Sequence, residues 1–192
     1  MFVVSFLKRF KRRGQNYLGT VVQGKEDFIV LDAIVRDTPS DVTILFDIRG
    51  FDLFGYSYSK QTVRRMLDRA RIGEYGQRYF VIQAQDVDQA EELSSALEQK
   101  KMAMICSSSG DPKRYYEKHF VLGALDGVHL QTLEYVIKKR ELTSGQLHKD
   151  LGLETIQAAS NRISKLAKER LVRWEESPDR RRNVLQCKRI EL

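Results

Sequence analysis

The chain has 192 residues, 42% of them hydrophobic and 31% charged, a composition typical of globular proteins with one large or two small domains. The net charge of +7 is uneven, because residues 1–25 carry +6, residues 26–110 carry −4 and residues 111–192 carry +5. This distribution argues against nucleic-acid binding by the middle of the chain and favours it for the C-terminal part.

The cysteines and histidines argue against a disulfide framework and a metal centre. Cys106 and Cys187 both lie in apolar stretches that favour strands, so we expect reduced core thiols and a reducing, cytoplasmic compartment. His119, His129 and His148 are scattered and no Cys-x-x-Cys occurs, which argues against a structural zinc site. No metal or cofactor is predicted.

Residues 1–15 are predicted to form a basic N-terminal arm, in which a short apolar run precedes the charges. That order is the reverse of a signal peptide, and the apolar run is too short to span a bilayer. As a helix, the arm would carry Phe2, Phe6 and Phe10 on one side and could touch a membrane surface or nucleic acid. An edge strand or ordered arm packed on the protein is favoured, because Phe-Val-Val is strand-prone.

Residues 16–108 alternate between helix and strand. Helices are predicted over residues 24–36 and from Ser57 or Ser59 to about residue 71, and strands over residues 42–48, 79–83 and 102–106. A third helix follows an Asp86 cap and has four residues facing inward: Val87, Ala90, Leu93 and Leu97. The Ile-Val content of residues 24–36 also fits a strand, but its apolar residues fall at helical steps. This βαβαβ order predicts an α/β domain with a largely parallel, mixed sheet.

Two stretches of this domain carry a family resemblance. Residues 17–24, which begin Tyr-Leu-Gly-Thr, and residues 44–67, ILFDIRGFDLFGYSYSKQTVRRML, resemble a STAS-like domain, the fold of anti-sigma-factor antagonists. In that family a strand ending in Asp leads to a helix whose first Ser or Thr can be phosphorylated, which switches partner binding. The spacing from Asp47 implies Ser57 for that hydroxyl, although Gly55 and Tyr58 stand where the family has Asp and Gly. The favoured interpretation is that Ser57 is the N-cap of the helix.

The sequence of this domain does not predict an enzyme. Residues 48–51, Ile-Arg-Gly-Phe, lack both a phosphate-binding loop and a dinucleotide fingerprint. Residues 1–118 contain no histidine, which argues against a Ser-His or Cys-His nucleophile there. Asp47 and Asp52 could hold a cation, but solvated loop acids are far commoner.

Residues 109–125 are predicted to be a linker. Small and turn-forming residues from 107 to 112 mark the break between domains. An aromatic and aliphatic segment follows, with Tyr115, Tyr116, Phe120, Val121, Leu122 and Leu125. It fits a connecting helix, a strand or a dimer contact.

Residues 126–192 are predicted to form a second domain that opens with two helices. Asp126 caps the first, whose inward residues are Leu130, Leu133, Val136 and Ile137. Thr143 and Gln146 have the spacing of a capping box, which begins a short helix from Ser144 to Asp150. Gly152 then ends that helix in a tight turn.

A longer helix and two strands follow. The helix covers about residues 154–170 and has one inward stripe, composed of Ile156, Ala159, Ile163 and Leu166. Residues 171–175 and 184–187 are predicted strands, and the turn between them carries three arginines at its tip.

Residues 158–172, AASNRISKLAKERLV, resemble the recognition helix and first wing strand of bacterial and archaeal winged-helix regulators. The resemblance covers about residues 126–189 and implies an α+β winged helix-turn-helix domain that binds double-stranded DNA. The recognition helix would enter the major groove. The two predicted strands and the turn between them would form the wing, whose arginine-rich tip would lie on the adjacent minor groove or backbone. Arg170 stands where the family usually has glycine, so this helix end is expected to be capped differently.

The outer face of this helix combines amides, hydroxyls and cations, which can contact base edges and phosphates. The predicted DNA-binding residues are Ser144, Thr155, Gln157, Ala158, Ser160, Asn161, Arg162, Lys165, Lys168, Arg180, Arg181 and Arg182. Ala158 and Ser160 are small and would permit close approach.

The sequence therefore predicts a cytoplasmic transcription regulator with a STAS-like α/β domain for sensing or protein contact and a winged helix for DNA. A homodimer is expected, because one recognition helix reads few base pairs and paired half-sites raise affinity. Residues 115–125 are the candidate dimer contact. The alternative is a partner-switching protein in which Ser57 is modified and the winged helix binds protein rather than DNA.

Overall fold

The computed structural model describes residues 1–12, 15–108, 117–176 and 185–190. Contacts within the chain divide it into two compact units, the α/β unit of residues 1–124 and the C-terminal unit of residues 125–190. The boundary falls at the end of the segment predicted to be a linker.

The α/β unit is built on a five-stranded sheet. Its elements, in chain order, are β1 (Phe2–Ser5), α1 (Phe6–Phe10), β2 (Tyr17–Leu18), α2 (Val21–Asp37), β3 (Thr43–Asp47), β4 (Leu53–Phe54), α3 (Tyr56–Gln61), α4 (Val63–Arg71), β5 (Tyr79–Gln83), α5 (Val87–Glu98), β6 (Ala103–Ser107) and β7 (His119–Gly123). The strand order is β1-β3-β5-β6-β7, in which the first four strands are parallel and β7 is antiparallel to β6. The predicted α/β class with a mostly parallel, mixed sheet is confirmed.

The central strands are buried on both faces. Phe46 and Ile82 lie in the core cluster that also contains side chains of the helices. On the opposite face, Leu45, Val81 and Ile105 are fully buried as well. Strands buried on both sides need continuous apolar sequences, which is the pattern from which they were predicted.

Residues 1–12 are part of the α/β unit, so the N-terminal segment is packed on the protein. β1 pairs with β3 in parallel, with Val3 opposite Leu45, so the favoured prediction of an edge strand is confirmed. The Phe6 ring of α1 lies 5.8 Å from the ring of Phe46 and 5.4 Å from that of Phe54. The strand propensity of Phe-Val-Val and the burial of these rings hold the segment on the sheet.

Helix α2 begins three residues earlier than predicted. Thr20 accepts a hydrogen bond from the Gln23 backbone N–H, and the Gln23 side chain bonds back to the Thr20 backbone in a capping box. Gly24 lies where α2 meets α3, since a Cβ atom at this position would be 2.7 Å from Cβ of Gln61. The Thr-x-x-Gln spacing was the sequence signal for this start.

Helices α3 and α4 correct the prediction that Ser57 is an N-cap. The cap residue is Gly55, which makes no side-chain capping bond, and Ser57 lies within the first turn of α3. The predicted single helix is divided at Thr62, whose hydroxyl donates to the Tyr58 carbonyl oxygen at 2.8 Å. Hydroxyls that bond to the preceding turn commonly bend helices.

Helix α5 begins at the predicted cap. Asp86 accepts a hydrogen bond from the backbone N–H of Gln89, and Ala90, Leu93 and Leu97 are buried as expected. Val87 is 57% exposed, so its predicted inward position is wrong.

The C-terminal unit contains three helices and three strands among its described residues. They are α6 (Gly127–Lys139), β8 (Glu141–Thr143), α7 (Ser144–Asp150), α8 (Ile156–Lys168), β9 (Val172–Glu176) and β10 (Leu185–Arg189). The strands form an antiparallel sheet in the order β8-β10-β9. The predicted Asp126 cap and the Thr143–Gln146 capping box are confirmed.

Two residues predicted to face inward in this unit are exposed. Leu130 on α6 is 38% exposed and Ile156 at the start of α8 is 55% exposed. Both lie in the first turns of their helices, where periodicity alone does not reveal whether a neighbouring element covers the side chain.

Arg170 ends α8 in the left-handed conformation that glycine would adopt, with φ of 61°. The Leu171 N–H donates to the Leu166 carbonyl and the Arg170 N–H to the Ala167 carbonyl, both at 3.0 Å. These are the two bonds of a Schellman motif. The expectation of a different cap is therefore wrong, because Arg170 adopts the glycine-type geometry.

Both cysteines are buried and free, as predicted. Burial raises the pKa of Cys106 to about 12 and that of Cys187 to about 12. The thiols therefore stay protonated and unreactive near neutral pH.

Candidate nucleic-acid interface

Helix α8 presents a polar face to solvent. Thr155 caps its start by accepting a 3.0 Å hydrogen bond from the Ala158 N–H, and Ala159, Ile163 and Leu166 hold the other side in the core. The exposed polar residues are Gln157, Asn161, Ser164, Lys165 and Lys168. The helix is about 20 Å long, which suits insertion into a major groove.

Two amides on this face form a pair. Nε2 of Gln157 donates to Oδ1 of Asn161 at 2.9 Å, one helical turn away. The bond orients both side chains and leaves Oε1 of Gln157 as an acceptor beside Nδ2 of Asn161 as a donor. An adjacent donor and acceptor match the major-groove edge of adenine.

Lys165 is less available for DNA than the sequence implied. Its Nζ lies 3.3 Å from Oε1 of Glu169, whose side chain is only 3% exposed, while that of Lys165 is 44% exposed. This ion pair neutralises much of the charge at this position. Lys168 is exposed and forms no ion pair within the part of the chain that the structure describes, so it is the better candidate for a phosphate contact.

The remaining predicted residues occupy several environments. Ala158, Ser160 and Arg162 are half-buried on the flanks of α8, and Ser144 is half-buried at the first position of α7. The Thr155 side chain is used as the helix cap. The predicted wing residues Arg180, Arg181 and Arg182 lie outside the described residues.

Charge favours an anionic partner for this unit. Residues 125–190 contain 14 basic and nine acidic residues, a net charge of +5. Part of the positive charge on the strands is paired, since Glu175 lies 3.3 Å from Lys188 and 3.8 Å from Arg173. The exposed cations Lys138, Lys139 and Arg140 end α6.

No protein-family model matches this sequence, and no curated protein or solved structure matches it either. The interface therefore rests on its own geometry and charge. Among the described residues, no group of three His, Cys, Asp or Glu side chains could hold a metal ion. None of the described helices combines the length and apolar character needed to cross a membrane.

A groove along α6 was not predicted. It encloses about 590 Å³ and is lined by Leu130, Tyr135 and Leu151 among others. The Tyr135 hydroxyl donates to Asp150 at 2.7 Å, and this bond raises the pKa of Tyr135 above its ordinary value. Helical periodicity predicted that Leu130 faces the core, so the sequence gave no indication of a groove at this position.

In the α/β unit, the surroundings of Ser57 do not favour a phosphoryl group. The Tyr56 N–H at the start of α3 donates to the Glu92 carboxylate at 3.2 Å. The Glu92 carboxylate therefore already occupies the helix N-terminus to which a phosphate on Ser57 would bind. The two anions would repel each other. Asp47, the predicted strand-end acid, is bound by Arg49 through two hydrogen bonds of 2.8 Å.

A second groove, of about 360 Å³, lies near Asp52 and Asp86. Its polar side chains serve the fold: the Gln89 amide donates to the backbone carbonyls of Ile48 and Phe51, and Asp86 caps α5. The Gln89 bonds connect the loop that follows β3 with the segment that follows β5.

A buried ionic cluster in this unit was missed by sequence reasoning. Arg12 donates to both oxygens of Asp27, at 3.0 and 3.3 Å, and the Tyr58 hydroxyl donates to the same carboxylate at 2.9 Å. Burial, together with the Asp27 charge, raises the pKa of Tyr58 far above its usual range. Arg12 thus fastens the N-terminal segment to α2, a role that its place in a basic run did not suggest.

Proposed function

We propose that residues 126–190 form a winged helix domain that binds double-stranded DNA, and that the protein is a cytoplasmic transcription regulator. The order α6–β8–α7–α8–β9–β10 supports this proposal, because it has the helices, turn and strands that the family resemblance implies. The net charge of +5 over residues 125–190 supports an anionic partner.

The observation that carries the proposal is the exposed amide pair of Gln157 and Asn161. It lies on the outer face of a 13-residue helix, and Ser164 and Lys168 continue the polar stripe. Solvated faces are commonly rich in Glu and Lys, whereas this stripe is mostly amide and hydroxyl. Such groups are suited to base edges because each offers a donor and an acceptor.

In the proposed complex, α8 enters the major groove and the amide pair contacts bases. Lys168 and Arg162 contact phosphates on either side, and Arg180, Arg181 and Arg182 contact the minor groove or backbone. Phosphate contacts position the protein, whereas the amides supply sequence discrimination. Lys165 contributes little to affinity, because Glu169 neutralises it.

The α/β unit is proposed to act in sensing or protein contact, as its STAS-like sequence implies. Regulation by phosphorylation of Ser57 is less favoured than a constitutive contact, since Glu92 already lies at the start of α3. The rival function, protein binding by the C-terminal unit, predicts no salt-dependent association with DNA.

The test is fluorescence anisotropy of the full chain with a labelled random-sequence duplex. Each phosphate neutralised should add about −0.9 to the slope of log affinity against log salt, giving about −3 to −5 for the proposed contacts. Lys168→Ala should make that slope shallower, whereas Lys100→Ala, at an exposed site of the α/β unit, should not. Absence of binding at low salt would refute DNA recognition and favour the rival function.

A further inference from the structure

One face of α2 exposes an apolar stripe. Val22 is 64% exposed and Ile29 is 71% exposed. The opposite side of this 17-residue helix holds Phe28 and Leu31 in the core. Clustered aliphatic residues on a solvent face are typical of interaction surfaces, whereas single exposed ones are ordinary.

The stripe has a defined midline. With about 100° between successive helix residues, the side chains that lie opposite the buried face are Val22, Ile29 and Ala33. All three are exposed. We call these residues the α2 stripe.

The two flanks of the α2 stripe carry opposite charges. Lys25 and Arg36 lie on one flank, and Glu26 and Asp37 lie on the other, all of them exposed. The exposed charges on each flank therefore share one sign, and the half-buried Asp32 on the basic side is bound by Arg36 and Arg69. Two such faces have complementary charges in only one relative orientation of the helices. A helix face of this kind can therefore pair with a second copy of itself in that orientation.

We propose that the α2 stripe is a homodimer interface in which two copies of α2 pack in parallel about a twofold axis. In a parallel pair the axis runs along the helices, so the basic flank of one copy faces the acidic flank of the second. Lys25 then lies nearly level with Glu26 of the second copy. In an antiparallel pair, each flank would instead face the same flank of the second copy, with cation against cation and acid against acid.

The flanking charges are partly held in position within the chain. Arg36 lies 3.0 Å from Asp32 and 3.1 Å from Glu74, and Glu26 lies 3.1 Å from Arg12. Exposed ion pairs add little affinity, but they suppress wrong orientations. Burial of the aliphatic midline therefore supplies the affinity, and the flanks select the parallel orientation.

The α2 stripe replaces residues 115–125 as the expected dimer contact. Within that segment, Leu122 is buried and Phe120 packs against the core of the α/β unit. Their side chains are therefore committed to their own subunit. The dimer does not depend on the proposed DNA binding.

The first experiment is sedimentation equilibrium of the full chain without DNA, over about 1–100 µM, because a single-helix contact belongs among small interfaces. The wild type should dimerise, and Ile29→Asp should weaken the dimer at least tenfold. Ile72→Asp is the matched control, since Ile72 is 75% exposed at the end of α4. A monomeric wild type, or a dimer unaffected by Ile29→Asp, would overturn the interface.

The second experiment tests orientation. Ala33→Cys introduces an exposed thiol into a chain whose own cysteines are both buried. Parallel packing brings the two Ala33→Cys positions together near the axis, so mild oxidation should cross-link the dimer. Lys25→Glu should weaken the dimer, and the double change Lys25→Glu/Glu26→Lys should restore it. Failure to cross-link, or no restoration in the double variant, would overturn the parallel arrangement. Since DNA is absent from both experiments, failure of the dimer and failure of DNA recognition remain distinguishable.

Discussion

Lys165 and Glu169 form an ion pair on α8, with Nζ of the lysine 3.3 Å from a carboxylate oxygen that is almost fully buried. This relationship separates two lysines that look equivalent in the sequence. Lys165 supports its own helix, whereas Lys168 presents its charge to solvent.

Lys165→Ala should therefore affect mainly the free energy of unfolding, whereas Lys168→Ala should affect mainly the affinity for DNA. Lys165→Ala should lower the free energy of unfolding by about 0.5–1 kcal/mol, a value limited by the partial exposure of the lysine. Lys168→Ala should change stability little and weaken DNA binding more. Urea denaturation and DNA anisotropy on both variants measure the two effects. Equal DNA affinities for the two variants would contradict the assignment.

Lys101→Gly should stabilise the protein. Lys101 has φ of 50° at the end of α5, where the Met102 N–H donates to the Leu97 carbonyl at 3.2 Å. Glycine adopts this conformation without strain, and the net gain after its unfolded-state entropy is about 0.5 kcal/mol. The adjacent Lys100, which is not among the residues with positive φ, is the control. Denaturant midpoints should rise for Lys101→Gly and not for Lys100→Gly.

Gly123→Ala should be severely destabilising. Gly123 has φ of 81°, and a Cβ atom there would lie 2.2 Å from the Met102 carbonyl oxygen. The backbone must move where the last residue of β7 lies against the start of β6, at a cost of roughly 3 kcal/mol or more. Gly127→Ala has no atom within 4 Å of the new Cβ and serves as the control. A normal melting temperature for Gly123→Ala would contradict this close approach of Gly123 to the Met102 carbonyl oxygen.

Asp32 should contribute to loss of stability in acid. Burial raises its pKa, but hydrogen bonds from Tyr75, Arg36 and Arg69 outweigh burial and leave the pKa lowered. Because the folded-state pKa lies below the unfolded value of about 3.9, the contribution is present above that pH and is lost as pH falls through the folded pKa. Asp32→Asn should therefore flatten the acid limb of stability against pH.

The control for this experiment is Asp52→Asn, at an exposed loop residue. Unfolding free energies measured from about pH 6 to pH 2.5 cover the relevant window. An acid limb of unchanged slope in Asp32→Asn would contradict the role of the Asp32 cluster.

Local signals predicted much of this fold. Asp86, Asp126 and the Thr143–Gln146 box act through residues three positions apart, so the sequence contains all the parts of each cap. Central strands were recognisable because burial on both faces demands uninterrupted apolar residues. The i, i+4 spacing of Lys165 and Glu169 was also a local signal, and it could have revealed their pairing.

Features that depend on distant parts of the chain were missed. The exposure of Ile156 depends on which element covers the first turn of α8, and the Arg12–Asp27 pair joins residues 15 positions apart. The strand β8 is only three residues long and is defined by its pairing with β10. Such features follow from tertiary packing, which periodicity does not encode.

Asn161→Ala should relax sequence preference without unfolding the protein. Its amide is exposed and, among the described residues, hydrogen-bonds only to Gln157, so its loss should remove a base contact worth roughly 1–3 kcal/mol of discrimination. Arg180→Ala, Arg181→Ala and Arg182→Ala combined should instead weaken all sequences alike, because phosphate contacts carry little sequence information. A fall of many degrees in the melting temperature of Asn161→Ala would indicate that Asn161 stabilises the fold and would contradict its role in base recognition.

The most direct test of DNA recognition by α8 is selection of bound duplexes from a random pool, at low salt, by the wild-type chain and by Asn161→Ala. The wild type should retain DNA and enrich a motif containing adenine. Asn161→Ala should retain DNA from the same pool but lose the preference for adenine at one position. If the wild type retains no duplex, or if both proteins enrich the same motif equally, α8 does not read DNA through its amide pair.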